Sequence, residues 1–434
     1  MDDQQARAWI AEAGKYGIVY GLDSIRALMV RLQNVQEQIP VIHVAGTNGK
    51  GSVCTMLASV LQEAGYRTGL YSSPAVFEPE EIIKVCGKNI SREAYAAIAT
   101  KIQDACEDMV RQGLPHPTSF EIETALAFCY FKEENCEIAV IEAGMGGKLD
   151  ATNLIKHPVC SVLTSVGRDH MAYLGQTLTQ IAQAKAGIMK CGCPCVTVYQ
   201  KPEVMEVFEK AALACGSMLY IARDAIIQAF SYDGQGSRFT LNVWEGVDGF
   251  LPLAGTFQKQ NLACVLSVVT LLRENGYDIS RQALLAGLSN AYLPGRFERI
   301  GKAPEFYIDG AHNEAAALRL RETVQAYLAG RRIVYIIGVF ADKEYEKLLR
   351  VMLPYAAQVF TVTPDHPRAL DGRKLVDEVE KFHKKATYVP DISQAAMLAS
   401  DAAGRDGAVL AFGSFSYLGA LRRAEKDRQQ EGYA

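Results

Sequence analysis

The segment with the clearest capacity for chemistry is residues 41–52, which read Val-Ile-His-Val-Ala-Gly-Thr-Asn-Gly-Lys-Gly-Ser. The pattern predicts a buried strand, a glycine-rich turn and a helix. Backbone N–H groups of such a turn, together with the positive end of the helix dipole, favour a polyphosphate. Lys50 would neutralise the β- and γ-phosphates, and Ser52 would lie near the metal. Gly51 separates these two residues, so the turn is a variant of the usual phosphate loop. A turn without a ligand is the alternative, but it would need no lysine.

Metal-binding side chains follow the next two predicted strands. Glu142 comes directly after residues 138–141, and His170 follows residues 159–166. Ligands of open α/β sheets gather outside the carboxyl ends of the strands, where both side chains would lie. A hard carboxylate oxygen suits Mg²⁺, and imidazole is a common metal ligand. We therefore predict a magnesium site beside the phosphates. A structural hydrogen bond is the alternative for His170.

Lys185 and a run of three cysteines each have a structural interpretation, without a ligand, when their local sequence is considered alone. Lys185 stands near the end of a predicted helix, where a solvated lysine would stabilise the negative end of the helix dipole. Cys191, Cys193 and Cys195 could form half of a zinc site. No second Cys or Cys/His pair completes that site, so we interpret the three as structural thiols.

The second half of the chain carries polar residues after its own predicted strands. Arg296 stands at a predicted junction, from which its guanidinium could reach a phosphate. Asp309, His312 and Asn313 follow one strand, and Ser414 follows another. A second ligand site is one interpretation of these strand ends. Ordinary turn chemistry, which also favours Asp, Gly, Asn and Ser, is the alternative.

The elements that must position these residues alternate between short β-branched runs and longer helical patterns. That alternation predicts an α/β fold with a mostly parallel sheet covered by helices on both faces. The pattern restarts after residues 294–296, which predicts an N-terminal domain at 1–295 and a smaller C-terminal domain at 296–434. Residues 230–253 are predicted to form antiparallel hairpins of the first domain. The remaining strand candidates are 41–45, 306–309, 333–339, 358–362 and 408–412.

Composition excludes several classes of protein. The 434 residues carry 45 Lys+Arg against 49 Asp+Glu, a net charge of −4, which gives no electrostatic footprint for nucleic acid. Apolar residues make up 49%, enough for sizeable cores and against a disordered chain. No apolar stretch approaches the ~20 residues that span a bilayer. The N-terminus lacks a secretory h-region, and eleven scattered cysteines are typical of a cytoplasmic chain.

The motifs together resemble a known family, the folylpolyglutamate synthase/dihydrofolate synthase family of the Mur ligase superfamily. The resemblance covers nearly the whole chain and implies a P-loop ATPase domain followed by a smaller Rossmann-like domain, with the active site in the cleft between them. The matching segments are 46–52, 71–74, 142–147, 149–153, 169–170, 185–188, 293–297, 309–313 and 413–414.

The resemblance also implies roles for individual residues. ATP and Mg²⁺ would be the cofactors, Lys185 would be carbamylated, and the substrates would be L-glutamate and a folate or dihydropteroate. The nucleotide contacts it implies are Asn48, Gly49, Lys50, Gly51, Ser52, Asn261, Arg296 and Asp309, and the metal ligands are Ser73, Glu142 and His170. The dihydropteroate pocket would contain Thr118, Phe120, Glu121, Leu149, Asp150 and Ala151, the glutamate site His312 and Ser414, and the catalytic set Lys50, Lys185, Asp309 and His312.

The reaction implied is amide formation through an acyl phosphate, carried out by a monomer. Three positions depart from the family pattern, and they concern the acceptor rather than ATP. Ile82 replaces an arginine that touches folate in relatives, Ser24 stands where arginine is common, and Arg168 replaces an apolar residue. Lys84 could substitute for the lost arginine. A Mur-type ligase with a non-folate acceptor and a catalytically silent nucleotide-binding relative are the alternatives.

Overall fold

The protein is described by a computed structural model that covers residues 1–17, 19, 21–232, 235–243, 246–382 and 385–431. The chain divides into two compact units, each with its own sheet and buried core. The first comprises residues 1–230, 239–250 and 259–291, and the second comprises residues 231–238, 251–258 and 292–434.

An eight-stranded sheet forms the centre of the first unit. Six strands run parallel in the order β2-β5-β1-β6-β7-β8, and the two strands at one edge continue antiparallel as β3 and β4. The predicted mostly parallel sheet is therefore confirmed. The strands are β1 (Val41–Ala45), β2 (Thr68–Tyr71), β3 (Ile83–Val85), β4 (Lys88–Asn89), β5 (Ile138–Glu142), β6 (Cys160–Leu163), β7 (Cys195–Val198) and β8 (Leu219–Ala222).

Helices cover this sheet on both faces. Successive strand residues point to opposite faces, and Ile138, Ala139, Val140 and Ile141 of β5 are all fully buried, so neither face is open to solvent. The helices are α1 (Asp3–Glu12), α2 (Asp23–Arg31), α3 (Lys50–Glu63), α4 (Arg92–Arg111), α5 (Ser119–Glu133), α6 (Met171–Leu174), α7 (Leu178–Ala186), α8 (Pro202–Cys215), α9 (Gln258–Glu274) and α10 (Arg281–Asn290).

Three short strands lie where hairpins are predicted. They are β9 (Ile227–Tyr232), β10 (Ser237–Leu241) and β11 (Asp248–Leu251), and they pair in the order β11-β10-β9. The turn residues 233, 234, 244 and 245 lie outside the described residues. The expectation that this stretch belongs to the first domain alone is wrong, because residues 231–238 fall in the second unit.

A six-stranded sheet forms the centre of the second unit, in the order β12-β13-β17-β14-β15-β16. All its strands are parallel except β12, an antiparallel edge strand. The sequence prediction lacks β12 and β16, because both are only partly buried and β16 has just three residues. The elements are β12 (Glu298–Lys302), β13 (Glu305–Ile308), β14 (Ile333–Ile337), β15 (Gln358–Thr361), β16 (Ala386–Tyr388), β17 (Ala408–Phe412), α11 (Glu314–Tyr327), α12 (Tyr345–Met352), α13 (Gly372–Glu380), α14 (Ile392–Ala403) and α15 (Leu418–Glu431).

Candidate active site

The turn between β1 and α3 forms the phosphate loop, with Gly49 at its tightest point. Gly49 has a φ of +87°, a left-handed conformation that favours glycine. A Cβ there would lie 2.4 Å from Oδ1 of Asn261, so the loop also needs glycine for close packing. The structure thus brings Asn261, a predicted nucleotide contact on α9, against the loop. Helix α3 begins at Lys50, which places Gly51 and Ser52 in its first turn.

The segment after β6 holds the loop in place. The backbone N–H groups of Thr47 and Asn48 both donate to the carbonyl of Ser165, at 2.9 and 3.2 Å. The Thr47 hydroxyl donates to the carbonyl of Gly167 at 3.1 Å and accepts from its N–H at 3.0 Å. The neighbouring strands β1 and β6 therefore fix the loop before any ligand arrives.

A lysine and a buried carboxylate lie beside the loop. Glu142, the last residue of β5, is only 4% exposed. The ammonium of Lys50 is 3.9 Å from Glu142 Oε1 and 3.5 Å from the carbonyl of Thr47. The hydroxyl of Ser72 donates to the other oxygen of Glu142. Ser72 is absent from the predicted metal set, and its neighbour Ser73 is half-buried.

Lys185 is a buried residue, and its interpretation as a solvated surface lysine is wrong. It is 3% exposed, and its Nζ donates to the carbonyl of Gly46 in the phosphate loop at 2.7 Å. The helix pattern alone could not show that this turn of α7 faces the loop. Burial, with a smaller contribution from the Lys50 ammonium, lowers the pKa of Lys185 to about 7. A large fraction of this amine is therefore neutral near neutral pH.

His170 follows β6, as its position in the sequence predicts. It has a φ of +48° and stands directly before α6. The backbone N–H of His170 donates to Oδ1 of Asp169 at 2.9 Å, and the ring Nε2 of His170 lies 3.8 Å from Oδ2 of the same carboxylate. The His170 side chain is 43% exposed, so it is open to a ligand.

A pocket of about 360 Å³ adjoins these residues within the first unit. That volume lies within the range of small-molecule sites in proteins. The loop that leaves Glu142 forms part of its wall, beginning at Gly144. A Cβ at Gly144 would lie 2.5 Å from the Phe120 ring, so glycine here makes room for that aromatic wall. The pocket is lined by all six predicted dihydropteroate residues, Thr118, Phe120, Glu121, Leu149, Asp150 and Ala151, and also by His170.

Local capping interactions fix the polar side chains of this pocket. The Thr118 N–H donates to the Glu121 carboxylate at 2.8 Å, and the Glu121 N–H donates to the Thr118 hydroxyl at 3.3 Å, which starts α5. Asp150 accepts from the N–H of Met145 at 2.7 Å and from the N–H of Thr152 at 3.0 Å. These residues therefore shape the pocket as well as line it.

The second unit has its own cluster of polar residues at strand ends. Asp309 follows β13, and its two carboxylate oxygens accept from the N–H groups of Phe297 and Ala311, both at 2.8 Å. Burial raises the pKa of Asp309, while the Arg296 guanidinium and these two hydrogen bonds lower it. The carboxylate thus joins the 293–297 segment to the strand end.

An aromatic ring organises the rest of this cluster. The guanidinium of Arg296 lies 4.4 Å from the centre of the Phe415 ring, a cation–π arrangement. The Nδ1 of His312 lies 2.8 Å from the carbonyl of Gly310, to which it donates, so in the neutral ring Nε2 is the acceptor. The buried hydroxyl of Ser414, after β17, accepts from the N–H of Ser416 at 3.3 Å.

Comparison with known proteins identifies the family. Residues 44–269 match the Mur ligase middle domain, and residues 295–415 match the Mur ligase glutamate ligase domain. The dihydrofolate synthase/folylpolyglutamate synthase of Bacillus subtilis is 35% identical over 98% of this chain and 99% of its own length. The chain belongs to the folylpolyglutamate synthase/dihydrofolate synthase family of Mur ligases. It is therefore an ATP-dependent ligase.

Solved structures of this family share the fold. Mycobacterium tuberculosis folylpolyglutamate synthase complexed with ADP and AMPPCP superimposes with a TM-score of 0.87 and 30% identity, over 97% of this chain and 98% of that one. E. coli FolC in complex with DHPP and ADP gives a TM-score of 0.83 and 29% identity, over 98% of both chains. The α/β fold predicted from the resemblance is confirmed.

The donor set of the first unit fits a magnesium ion carried by a nucleotide. Mg²⁺ usually keeps several waters and takes one or two protein carboxylates besides substrate phosphates. Glu142 is a buried carboxylate beside the phosphate loop, and His170 lines the pocket whose wall begins two residues after Glu142, at Gly144. Across the described ranges, no group of three or more His, Cys, Asp and Glu could hold a metal by itself. A site completed by phosphate oxygens agrees with that finding.

Two of the three positions that depart from the family pattern, Ile82 and Ser24, are buried, whereas Arg168 directly follows Gly167, the residue hydrogen-bonded to Thr47 of the phosphate loop. Ile82, in place of the arginine, is 4% exposed and packs in the hydrophobic core. Lys84 is half-buried on β3, and burial lowers its pKa, while Glu81 raises it. Ser24 is buried, and its hydroxyl has no hydrogen-bond partner among the residues that are described.

Two site residues give no sequence signal of their own. Ser72 donates to Glu142, but it is its neighbour Ser73 that matches the family motif. Phe415 lies against Arg296, but an aromatic residue after a strand ordinarily signals core packing. The cysteine run has no metal geometry: Cys191 is exposed, whereas Cys195 is buried in β7. All eleven cysteines are free thiols.

Proposed function

We propose that this ligase adds L-glutamate both to dihydropteroate and to folates that already carry glutamate. The observation that carries the proposal is the pocket beside the phosphate loop. Its wall begins two residues after Glu142, so one loop links the carboxylate near the phosphates to the acceptor pocket. Phe120 offers a flat apolar surface, and Asp150 offers a carboxylate that matches the N–H donors of a pterin ring.

The first unit would hold ATP and activate the acceptor. The phosphate loop, Asn48 to Ser52, would hold the phosphates, and Asn261 would contact the nucleotide beside it. Lys50 would stabilise the negative charge that develops on the transferring phosphoryl group. Glu142, His170 and a nearby serine hydroxyl, Ser73 or Ser72, would hold Mg²⁺. When bound, that ion would neutralise charge on the phosphate oxygens.

The reaction would pass through an acyl phosphate. A carboxylate oxygen of the acceptor attacks the γ-phosphorus, the bond to the bridging oxygen breaks, and ADP leaves. The glutamate amine, after losing its extra proton, attacks the acyl carbon. The new C–N bond forms as the C–O bond to phosphate breaks, and the products are an amide and inorganic phosphate.

Lys185 would act after modification by carbon dioxide. The neutral amine attacks the carbon atom of carbon dioxide and releases one proton, which leaves a negatively charged carbamate in place of the neutral amine. A pKa near 7 supplies the neutral amine that this reaction requires. A negative group would then face the phosphate loop, where it could coordinate a cation or orient a water.

The second unit would supply nucleotide and glutamate contacts. Arg296 and Asp309 would act towards the nucleotide, and His312 and Ser414 towards glutamate. Because Asp309 already accepts two backbone hydrogen bonds, we assign it an orienting role and give His312 the role of proton acceptor. Its Nε2, which carries no proton in this tautomer, is the atom that would act.

We further propose a monomeric cytoplasmic enzyme with domains at 1–295 and 296–434, in which residues 231–238 and 251–258 of the first domain pack with the second compact unit. One chain supplies every residue of the pocket, and eleven free thiols suit a reducing compartment. No described helix is long and apolar enough to cross a membrane. Light scattering of the purified protein tests the monomer, and cell fractionation tests the compartment.

The decisive experiment measures ADP formation with ATP, magnesium and L-glutamate in three arms: dihydropteroate, tetrahydrofolate and no acceptor. We expect acceptor-dependent turnover in both acceptor arms, with products one glutamyl residue heavier by mass spectrometry. Turnover with tetrahydrofolate alone would restrict the enzyme to polyglutamate synthesis. Protein that binds ATP and turns over neither acceptor would overturn the folate assignment and leave a Mur-type ligase with another acceptor.

A further inference from the structure

A buried hydrogen-bond chain runs from the acceptor pocket into the central strand of the sheet. The Thr152 hydroxyl lies 2.5 Å from Oδ1 of Asp150, and Nε2 of His43 lies 2.8 Å from the same hydroxyl. His43, in the middle of β1, and Thr152 are both 0% exposed. None of the functions assigned above uses either residue.

The direction of each hydrogen bond follows from proton counting. An ionised Asp150 can only accept, so the Thr152 hydroxyl must donate to it. A hydroxyl has one hydrogen, so Nε2 of His43 must then donate to Thr152. His43 is consequently the neutral tautomer with its proton on Nε2. This agrees with the low pKa of about 3 that burial and the Lys190 charge give it.

If both hydrogen bonds ran in the opposite direction, a buried N–H group of His43 would have no acceptor. A protonated Asp150 would donate to Thr152, which would donate to Nε2, and the His43 proton would move to Nδ1. Nδ1 is buried and has no hydrogen-bond partner among the described residues. A buried N–H without an acceptor is rarer in proteins than an acceptor without a donor. The unpartnered Nδ1 therefore favours the arrangement in which Asp150 is a carboxylate.

We propose that His43 and Thr152 are positioning residues that hold Asp150 as an oriented hydrogen-bond acceptor facing the pocket. The ligand class they select carries adjacent N–H donors, such as the amino-pyrimidinone edge of a pterin. The inference rests on the proposed function, because it takes the pocket to be the acceptor site. His43 acts at a distance, since it reaches Asp150 through Thr152 and is not among the residues that line the pocket.

The test compares Thr152→Val, which removes the hydroxyl at similar volume, with Thr152→Ser, which restores it. We expect Thr152→Val to raise KM for dihydropteroate about tenfold or more, the scale of one hydrogen bond to a charged group. KM for ATP should change less than about twofold, and Thr152→Ser should recover most of the loss. Thermal melts of both variants report folding.

The pH profile of kcat/KM for dihydropteroate gives a second readout. Removing the donor hydroxyl raises the pKa of Asp150, so the acidic limb should move to higher pH in Thr152→Val. The other groups that act on this carboxylate are the Lys50 ammonium, Lys185 (as an ammonium or as the proposed carbamate) and Tyr71. All three are unchanged in the variant, so they cannot cause a difference from wild type.

Nitrogen-15 NMR of the wild-type His43 ring keeps the proposal testable if Thr152→Val fails to fold. The expected spectrum shows a proton on Nε2 and none on Nδ1 between pH 5 and 8. A proton on Nδ1 would overturn the proposal, as would a folded Thr152→Val with wild-type KM for dihydropteroate. If the wild-type protein does not use dihydropteroate but His43 is the Nε2 tautomer, the proposed function is refuted. The hydrogen-bond directions from His43 through Thr152 to Asp150 would still be confirmed.

Discussion

The two units each gather charged side chains at the carboxyl ends of parallel strands, but they use the charges differently. In the first unit, Lys50 and Glu142 lie 3.9 Å apart, a loose ion pair beside a loop of backbone N–H groups. In the second, Asp309 accepts two backbone hydrogen bonds at 2.8 Å, and Arg296 stacks on Phe415. The first cluster is arranged around space for a ligand, and the second is packed against its own backbone.

This difference predicts which property each cluster controls. The loose ion pair of Lys50 and Glu142 contributes little to the stability of the fold, because the weak attraction between the two charges does not exceed the free energy of removing them from water. Groups that accept short backbone hydrogen bonds contribute to stability, since their removal leaves buried donors unsatisfied. Substitutions in the first unit should therefore mainly affect turnover, and those in the second should affect folding as well.

The largest effect is expected for Lys50→Met. The substitution removes the cation nearest the phosphates and keeps the aliphatic stem, so kcat should fall about 10²–10³-fold, as for other transition-state charge stabilisers. The melting temperature should stay within a few degrees of wild type. Steady-state ADP formation and a thermal melt measure the two. Lys88→Met, at an exposed lysine of β4, is the matched control. Strong destabilisation by Lys50→Met would contradict the contrast between the units.

Lys185→Ala should reduce kcat by about two orders of magnitude, again through lost stabilisation of charge. Wild-type activity should also fall as pH drops below about 7, because protonation removes the amine that forms the carbamate. Added bicarbonate should restore part of that loss. Lys185→Arg keeps the positive charge and cannot form the carbamate, so it should resemble the alanine variant. Wild-type-like activity of Lys185→Arg would rule out the modification.

Sequence patterns correctly predict the phosphate loop and the sheet, because both depend on residues that are close together in the sequence. Glycines before Lys50, and β-branched runs such as β1, reflect requirements of the backbone itself. The burial of Lys185 depends on which face of α7 meets the loop, which no local signal gives. The hydrogen-bond chain from Asp150 through Thr152 to His43 joins residues up to 109 positions apart in the sequence, so only the fold reveals it. The resemblance to the family predicts which residues line the pocket, whereas their contacts are known only from the structure.

In the second unit, Asp309→Asn should lower the free energy of unfolding by about 1–3 kcal/mol. An asparagine side chain has one acceptor oxygen, so one of the N–H groups of Phe297 and Ala311 would face an amide donor. Urea denaturation with a fluorescence probe on the second unit measures the loss. Asp406→Asn, at an exposed turn, is the control and should be neutral. Unchanged stability of Asp309→Asn would remove the structural half of the comparison.

The smallest effect is expected for Phe415→Leu, which removes the ring beneath the Arg296 guanidinium. A cation–π pair at a partly exposed site is worth about 0.5–1 kcal/mol, which corresponds to a two- to fivefold rise in KM for the ligand that Arg296 contacts.

Phe382→Leu is the matched control for Phe415→Leu. It breaks a similar pair, with Arg350 at 5.4 Å, on an exposed residue of the same unit. That control should leave KM unchanged, because no predicted ligand contact involves it. If KM for ATP rises in Phe415→Leu and KM for glutamate does not, Arg296 serves the nucleotide. The reverse would assign Arg296 to glutamate, beside His312 and Ser414. Equal KM values in Phe415→Leu and wild type would show that the Phe415 ring does not position the guanidinium for its ligand.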